Sequence, residues 1–167
     1  FLNLSKTLEE IPPATPVQIG FGKVNEEIEL HYNHEGSTIA TLYPVADMDN
    51  NTALDQKETI QVRRIEDYCQ EEGINHIDFL KIDVEGAEYD VLEGCGKMLE
   101  TGAIPFIQFE FGSNNMVSRT YMKDFFRILK HYRIYRIIQD GIREIPQYHE
   151  IWEIPLVINF LAEYKSS

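Results

Sequence analysis

The stretch Ile77-Asp78-Phe79-Leu80-Lys81-Ile82-Asp83-Val84-Glu85-Gly86-Ala87-Glu88 decides the fold. An apolar run of strand character ends in two carboxylates, one residue apart, and a glycine turn then opens a helix. The run predicts a parallel strand from Ile77 to Asp83, central in its sheet and buried on both faces. In an open α/β sheet, ligands bind beyond the carboxyl ends of the strands, which puts Asp83 and Glu85 at the rim of a prospective site. Two neighbouring carboxylates repel one another and resist desolvation, so most buried strands do not end this way. They read either as a catalytic or ligand-orienting pair or as part of a helix start, where negative charge favours the dipole. The helix start suffices for Glu88, serves for Glu85 and accounts poorly for Asp83.

Outward from this stretch, strands and helices alternate. Ala87 to Glu100 reads as a helix with Val91, Leu92, Met98 and Leu99 inward, broken by Gly94 and Gly96 and stopped near Gly102. Pro105 to Phe111 is the next strand, and Ser118 to Tyr132 an amphipathic helix with Tyr121, Phe125, Ile128 and Leu129 at helical spacing. Arg133 to Gln139 and Leu156 to Tyr164 are strands, with a turn at Asp140-Gly141 between them. Upstream, Ile65 to Glu72 is a short helix closed by Gly73. Thr59 to Arg64, Glu27 to Tyr32 and Val17 to Phe21 are strands, and Thr38 to Tyr43 is a candidate partner for the second of these. Asp47 to Gln56 is a polar loop, and Phe1 to Glu10 is the tail of a helix stopped by Pro12-Pro13. The alternation implies an α/β fold on a mostly parallel sheet, the last two strands being candidates for antiparallel pairing.

The chain has 167 residues, a single-domain length, with 43% hydrophobic and 26% charged residues. Its formal net charge is −13, from 28 acidic and 15 basic residues, which argues against a nucleic-acid partner. The one basic concentration is Arg127, Lys130, His131, Arg133 and Arg136, which reads as a helix end running into a strand. Cys69 and Cys95 lack metal-ligand spacing and read as small buried thiols. No apolar run approaches the ~20 residues of a membrane span, and no signal peptide is visible; the expectation is a cytoplasmic protein.

Phe79-Leu80-Lys81-Ile82-Asp83-Val84-Glu85-Gly86-Ala87-Glu88, with Val91-Leu92-Glu93-Gly94 after it, resembles the central signature of the FkbM family of methyltransferases. The resemblance extends to Ile107-Gln108-Phe109-Glu110-Phe111-Gly112 and to Glu58–Glu72, and covers most of the chain from about Val17 onward. It implies an S-adenosylmethionine-dependent O-methyltransferase on a Rossmann-like sheet, acting on a hydroxyl of a sugar or other natural product. Such enzymes cradle the cofactor in a glycine-rich turn after the first strand and grip its ribose with an acid after the second. No strand here is followed by G-x-G-x-x-G and a helix. Gly20-Phe21-Gly22 runs into Lys23-Val24-Asn25-Glu26-Glu27, which suits a turn into a hairpin strand. By this likeness the chain begins inside the helix after the second strand, and residues 1–167 form one partial, N-terminally truncated domain. The two missing strands would lie between the Val17 and Ile77 strands, leaving both without neighbours. The resemblance also places Gly20 and Phe21 near the adenine, and Phe79, Ile82 and Asp83 on the methionine side.

Methyl transfer to a hydroxyl requires that hydroxyl to be aligned with the sulfonium methyl, and usually a base for its proton. Asp83 is the first candidate, as base or as orienting acceptor. Glu85 follows, and Glu110, at the end of the next strand, either points at the same rim or is an outward polar residue of an alternating strand. Lys81 either reaches a carboxylate or faces an exposed side. Two carboxylates make a poor Mg²⁺ site, and no metal is expected. The expected partner is a small-molecule or carbohydrate hydroxyl substrate. The alternative function is a non-catalytic interaction module of the same fold that has lost cofactor binding.

Overall fold

The computed structural model describes residues 14–34, 40–43 and 54–165. The helix expected over Phe1 to Glu10 lies outside them, as does most of the Asp47 to Gln56 loop. The described strands form two sheets. In the first, β1 (Gly20–Phe21) runs parallel to β3 (Gln56–Arg63), and β2 (Glu26–Tyr32) pairs antiparallel with β3 on its other side. The alternation in Glu27-Ile28-Glu29-Leu30 sets Ile28 opposite Ile60, while Lys57 and Glu29 pair at 3.1 Å on the exposed side. The Val17 to Phe21 strand is realised only in its last two residues. Thr41 bonds His31 in both directions at 3.0 Å, so the partner expected near Thr38 to Tyr43 is a single bridge among the described residues.

The second sheet contains β4 (Leu80–Ile82), β5 (Phe106–Phe111), β6 (Tyr132–Ile138), β7 (Gly141–Ile145) and β8 (Ile158–Tyr164), in the order β4-β5-β8-β6-β7. Only β4 and β5 are parallel; β8 is antiparallel to both β5 and β6. The sheet is therefore mixed, with Asp140-Gly141 turning the β6–β7 hairpin as the sequence indicates.

The strand expected from Ile77 to Asp83, central and buried on both faces, is corrected here. It is three residues long and lies at the edge of its sheet, bonded on one side to β5 among the described residues. The physical reason is in its own side chains. Leu80 and Ile82 turn inward, whereas Lys81 and Asp83 face water and Phe79 is 51% exposed. Burying Lys81 on a second covered face would strip an ammonium of its hydration at large cost. The pattern has period two and buries one face only.

The helices are α1 (Ile65–Glu72), α2 (Glu88–Gly94), α3 (Lys97–Thr101), α4 (Ser113–Val117) and α5 (Met122–Ile128). Gly73 closes α1 in the left-handed region, at φ 69°. The long helix predicted from Ala87 splits at Gly96, whose φ of 51° ends one helical run and starts another. Glu66 accepts the Lys97 amide at 3.0 Å, tying α1 to the start of α3. The helix predicted over Ser118 to Tyr132 is shorter: Tyr121 is exposed and Tyr132 already belongs to β6. Glu153 fixes the start of α5 by accepting the Met122 and Lys123 amides at 2.8 and 3.2 Å.

The core lies between α2, α3, α5 and the apolar face of the second sheet. Alternation in Phe106-Ile107-Gln108-Phe109-Glu110-Phe111 sends Ile107, Phe109 and Phe111 into it, fully buried. Phe109 stacks on Phe125 at 4.8 Å between ring centres and on Phe160 at 5.5 Å. Each such ring contributes about 1.5–3 kcal/mol by leaving water. Cys69 and Cys95 are free and buried, and burial pushes the Cys95 thiol up to about 12.

Candidate active site

Because β4 and β5 are parallel, their carboxyl ends finish on one rim. Lys81 is level with Gln108 and Ile82 with Phe109, so one further step brings Asp83 level with Glu110. Gln108 and Glu110 occupy the face of β5 opposite to Phe109 and Phe111, and Asn159 of β8 pairs with Glu110. Asp83 and Glu110 thus share a polar face at the ends of adjacent strands. Lys81 reaches Asp83, Nζ to Oδ2, which gives this lysine its role: it holds the first carboxylate of the rim.

Glu110 has its carboxyl pushed above the ordinary glutamate range by partial burial and then by the charges of Asp83, Glu85 and Glu88. Glu85 is raised likewise, by burial first and then by Asp83 and Glu88, against a hydrogen bond from Asn114 that lowers it. The three carboxylates named from the sequence are therefore electrostatically coupled. Among the described residues no group of three metal-binding side chains is close enough to hold an ion.

The turn after β4 is held under strain. Glu85 has a φ of 52°, a left-handed conformation that costs a non-glycine residue about 1–2 kcal/mol. Gly86 follows at φ 106°, where a Cβ would lie 2.9 Å from the Asn114 carbonyl oxygen. Three contacts fix this geometry. Thr41 donates its hydroxyl to the Glu85 carbonyl at 2.7 Å. Asn114 donates its side-chain amide to Glu85 Oε2 at 2.6 Å. Glu88, 1% exposed, accepts the Val84 and Gly86 amides at 3.2 and 3.1 Å. Glu88 is thus far more than the favourable first-turn charge the sequence suggested. Its only signal was its place two residues past a glycine turn. Asn114, Asn115 and Thr41 gave none that separates them from ordinary polar loop residues.

Three of the residues expected near the cofactor, Gly20, Phe21 and Asp83, line a crevice of about 190 Å³ between the sheets, together with Leu30, Leu42 and Val84. Ile82 points instead into the core. The crevice is apolar apart from Asp83 and falls short of the ~300–1,000 Å³ usual for small-molecule sites. It would take one end of a nucleoside cofactor and has no glycine turn to cradle the rest, so the described residues do not by themselves fit the whole group.

A family model described as the methyltransferase FkbM domain matches residues 3–141. The chain belongs to the FkbM methyltransferase family. A segment of 36 residues, 22% of this chain, is 44% identical to the 2-O-methyltransferase NoeI of Sinorhizobium fredii, of which it covers 15%. No solved structure matches the chain. The FkbM match takes in Asp83, Glu85, Glu88, Glu110, Asn114 and Asn115, whereas β8, which lies inside the second sheet, falls beyond it. The acidic rim of this FkbM domain thus lies within the matched region. No helix among its described residues is long and apolar enough to cross a membrane.

Proposed function

We propose that the protein methylates a hydroxyl, with S-adenosylmethionine as donor and a sugar or sugar-bearing small molecule as acceptor. The observation that carries this is the coupled carboxylate set Asp83, Glu85 and Glu110 at the ends of two parallel strands. Its likeness to a 2-O-methyltransferase over 36 residues supports an oxygen acceptor. Asp83, paired with Lys81 and bordering the crevice, accepts a hydrogen bond from the acceptor hydroxyl and aligns it. Glu110, whose raised proton affinity brings it nearer neutrality, takes the hydroxyl proton. Glu85 holds the turn between them through its bond from Asn114. We further propose that the two sheets belong to one Rossmann-like domain.

The test is methyl transfer from labelled S-adenosylmethionine at millimolar concentration to a panel of mono- and oligosaccharides, with products read by mass. One added methyl on oxygen is expected. Transfer to amines or carboxylates alone, or to nothing in the panel, would overturn the reading.

A further inference from the structure

Glu88 and Asn115 bond one another directly. Glu88 Oε2 accepts from Asn115 Nδ2 at 2.9 Å, and Asn115 Oδ1 accepts the Gly112 amide at 2.8 Å. Both residues are almost fully buried, at 1% and 2% exposure. A buried carboxylate survives only when donors surround it, and this one has three: the amides of Val84 and Gly86 on one side, Asn115 on the other. The pair therefore links the turn after β4 to the segment after β5. Glu85 and Asn114, which bond each other on the rim, are the immediate neighbours of these two elements' anchors.

We propose that Glu88 is a positioning residue. Acting through Asn115, its carboxylate fixes the strained Glu85 turn against the Gly112–Asn115 segment and so sets the spacing of the acidic rim. The catalytic part of this inference rests on the methyl-transfer reading above; the structural part does not.

The bonding can be exchanged between the two positions. In Glu88→Gln the new amide group meets the Asn115 amide, donor against donor, because the Asn115 oxygen is committed to Gly112. In Asn115→Asp two buried carboxylates meet. In the double variant Glu88→Gln/Asn115→Asp the bond between the two side chains is restored with its polarity reversed, and only the second contact of the Gly86 amide, at the Oε2 position, is not. The amide oxygen at 88 takes the Val84 and Gly86 amides, its NH₂ donates to the carboxylate at 115, and that carboxylate takes the Gly112 amide. Net charge is unchanged.

The experiment measures hydrogen exchange at the Gly86 and Gly112 amides, and kcat and KM for methyl transfer, in the 167-residue chain and the three variants. Each single substitution should speed exchange at both glycines by about 10- to 100-fold, the worth of a charged hydrogen bond. It should lower kcat with little change in the acceptor KM. The double variant should return both readouts towards the parent. Should a single variant fail to fold, recovery in the double variant still supports the pair. A double variant as impaired as the singles combined, or an E88Q chain with parental exchange and kcat, would overturn it. If neither parent nor variants transfer methyl, the functional reading fails while the exchange data still decide the clamp.

Discussion

At the rim, Asp83 and Glu110 stand level on neighbouring strands but answer to different partners. Lys81 pairs with Asp83, whereas at Glu110 partial burial and the charges of Asp83, Glu85 and Glu88 outweigh the same lysine, so Glu110 holds its proton more tightly than a free glutamate. Asp83→Asn weakens the acceptor that aligns the substrate hydroxyl and should cut turnover by about 10²-fold, the cost of a misplaced reactant, with far less effect on cofactor affinity; steady-state kinetics would show it, and unchanged turnover would remove Asp83 from the site. For Glu110 the consequence is in stability. The native state binds this proton more tightly than the unfolded chain, so Glu110 costs stability as pH rises from the ordinary glutamate range through its raised value, and the cost is complete above it. Urea unfolding across that interval should find Glu110→Gln gaining on the parent as pH rises and holding a constant lead beyond. Asp83, Glu85 and Glu110 were legible because carboxylates after strands are rare and charged. Glu88 was not, because the donors that satisfy it come from Val84, Gly86 and Asn115, and only the fold brings the last of these to it.

Among the elements, the broken helix α2–α3 was read correctly from two glycines, and the structure shows what each does. Gly96 supplies a left-handed turn. Gly94 supplies closeness: a Cβ there would lie 2.1 Å from the Gly22 carbonyl oxygen, where the loop after β1 crosses α2. Gly94→Ala must push backbone from backbone, so it should destabilise by about 1–3 kcal/mol despite alanine's better helix propensity. A chemical-denaturation midpoint equal to or above the parent's would show that the crossing is loose. Where the reading overshot, a longer-range partner intervened. Helix α5 starts at Met122 rather than Ser118 because Glu153, thirty-one residues on, takes its first amides. Likewise β4 was too long on paper because its apolar letters hid a period of two in Phe79-Leu80-Lys81-Ile82-Asp83.

For the molecule as a whole, the alternation of strands and helices gave the α/β class, and the alternating pattern around Glu110 is the one that turns Ile107, Phe109 and Phe111 into the core. Sheet order escaped, since nothing local to β8 announces that it lies between β5 and β6. The open side of β4 and the small crevice beside it lead to a prediction at this scale. The 167-residue chain alone should bind S-adenosylmethionine more weakly than low-micromolar, and calorimetric titration would measure this; an affinity near about −8 kcal/mol would mean the crevice can open to hold the whole cofactor. One further property follows from Glu153. Its carboxylate gathers the start of α5 and the Tyr148 hydroxyl, and the residue before it, Trp152, is the one tryptophan of the chain. The chain thus carries its own optical probe at the seam where the segment before β8 packs back on α5. Intrinsic emission, followed in stopped flow without any label, would time the closing of that seam, and Glu153→Gln would change the timing before it changed the colour of the folded state.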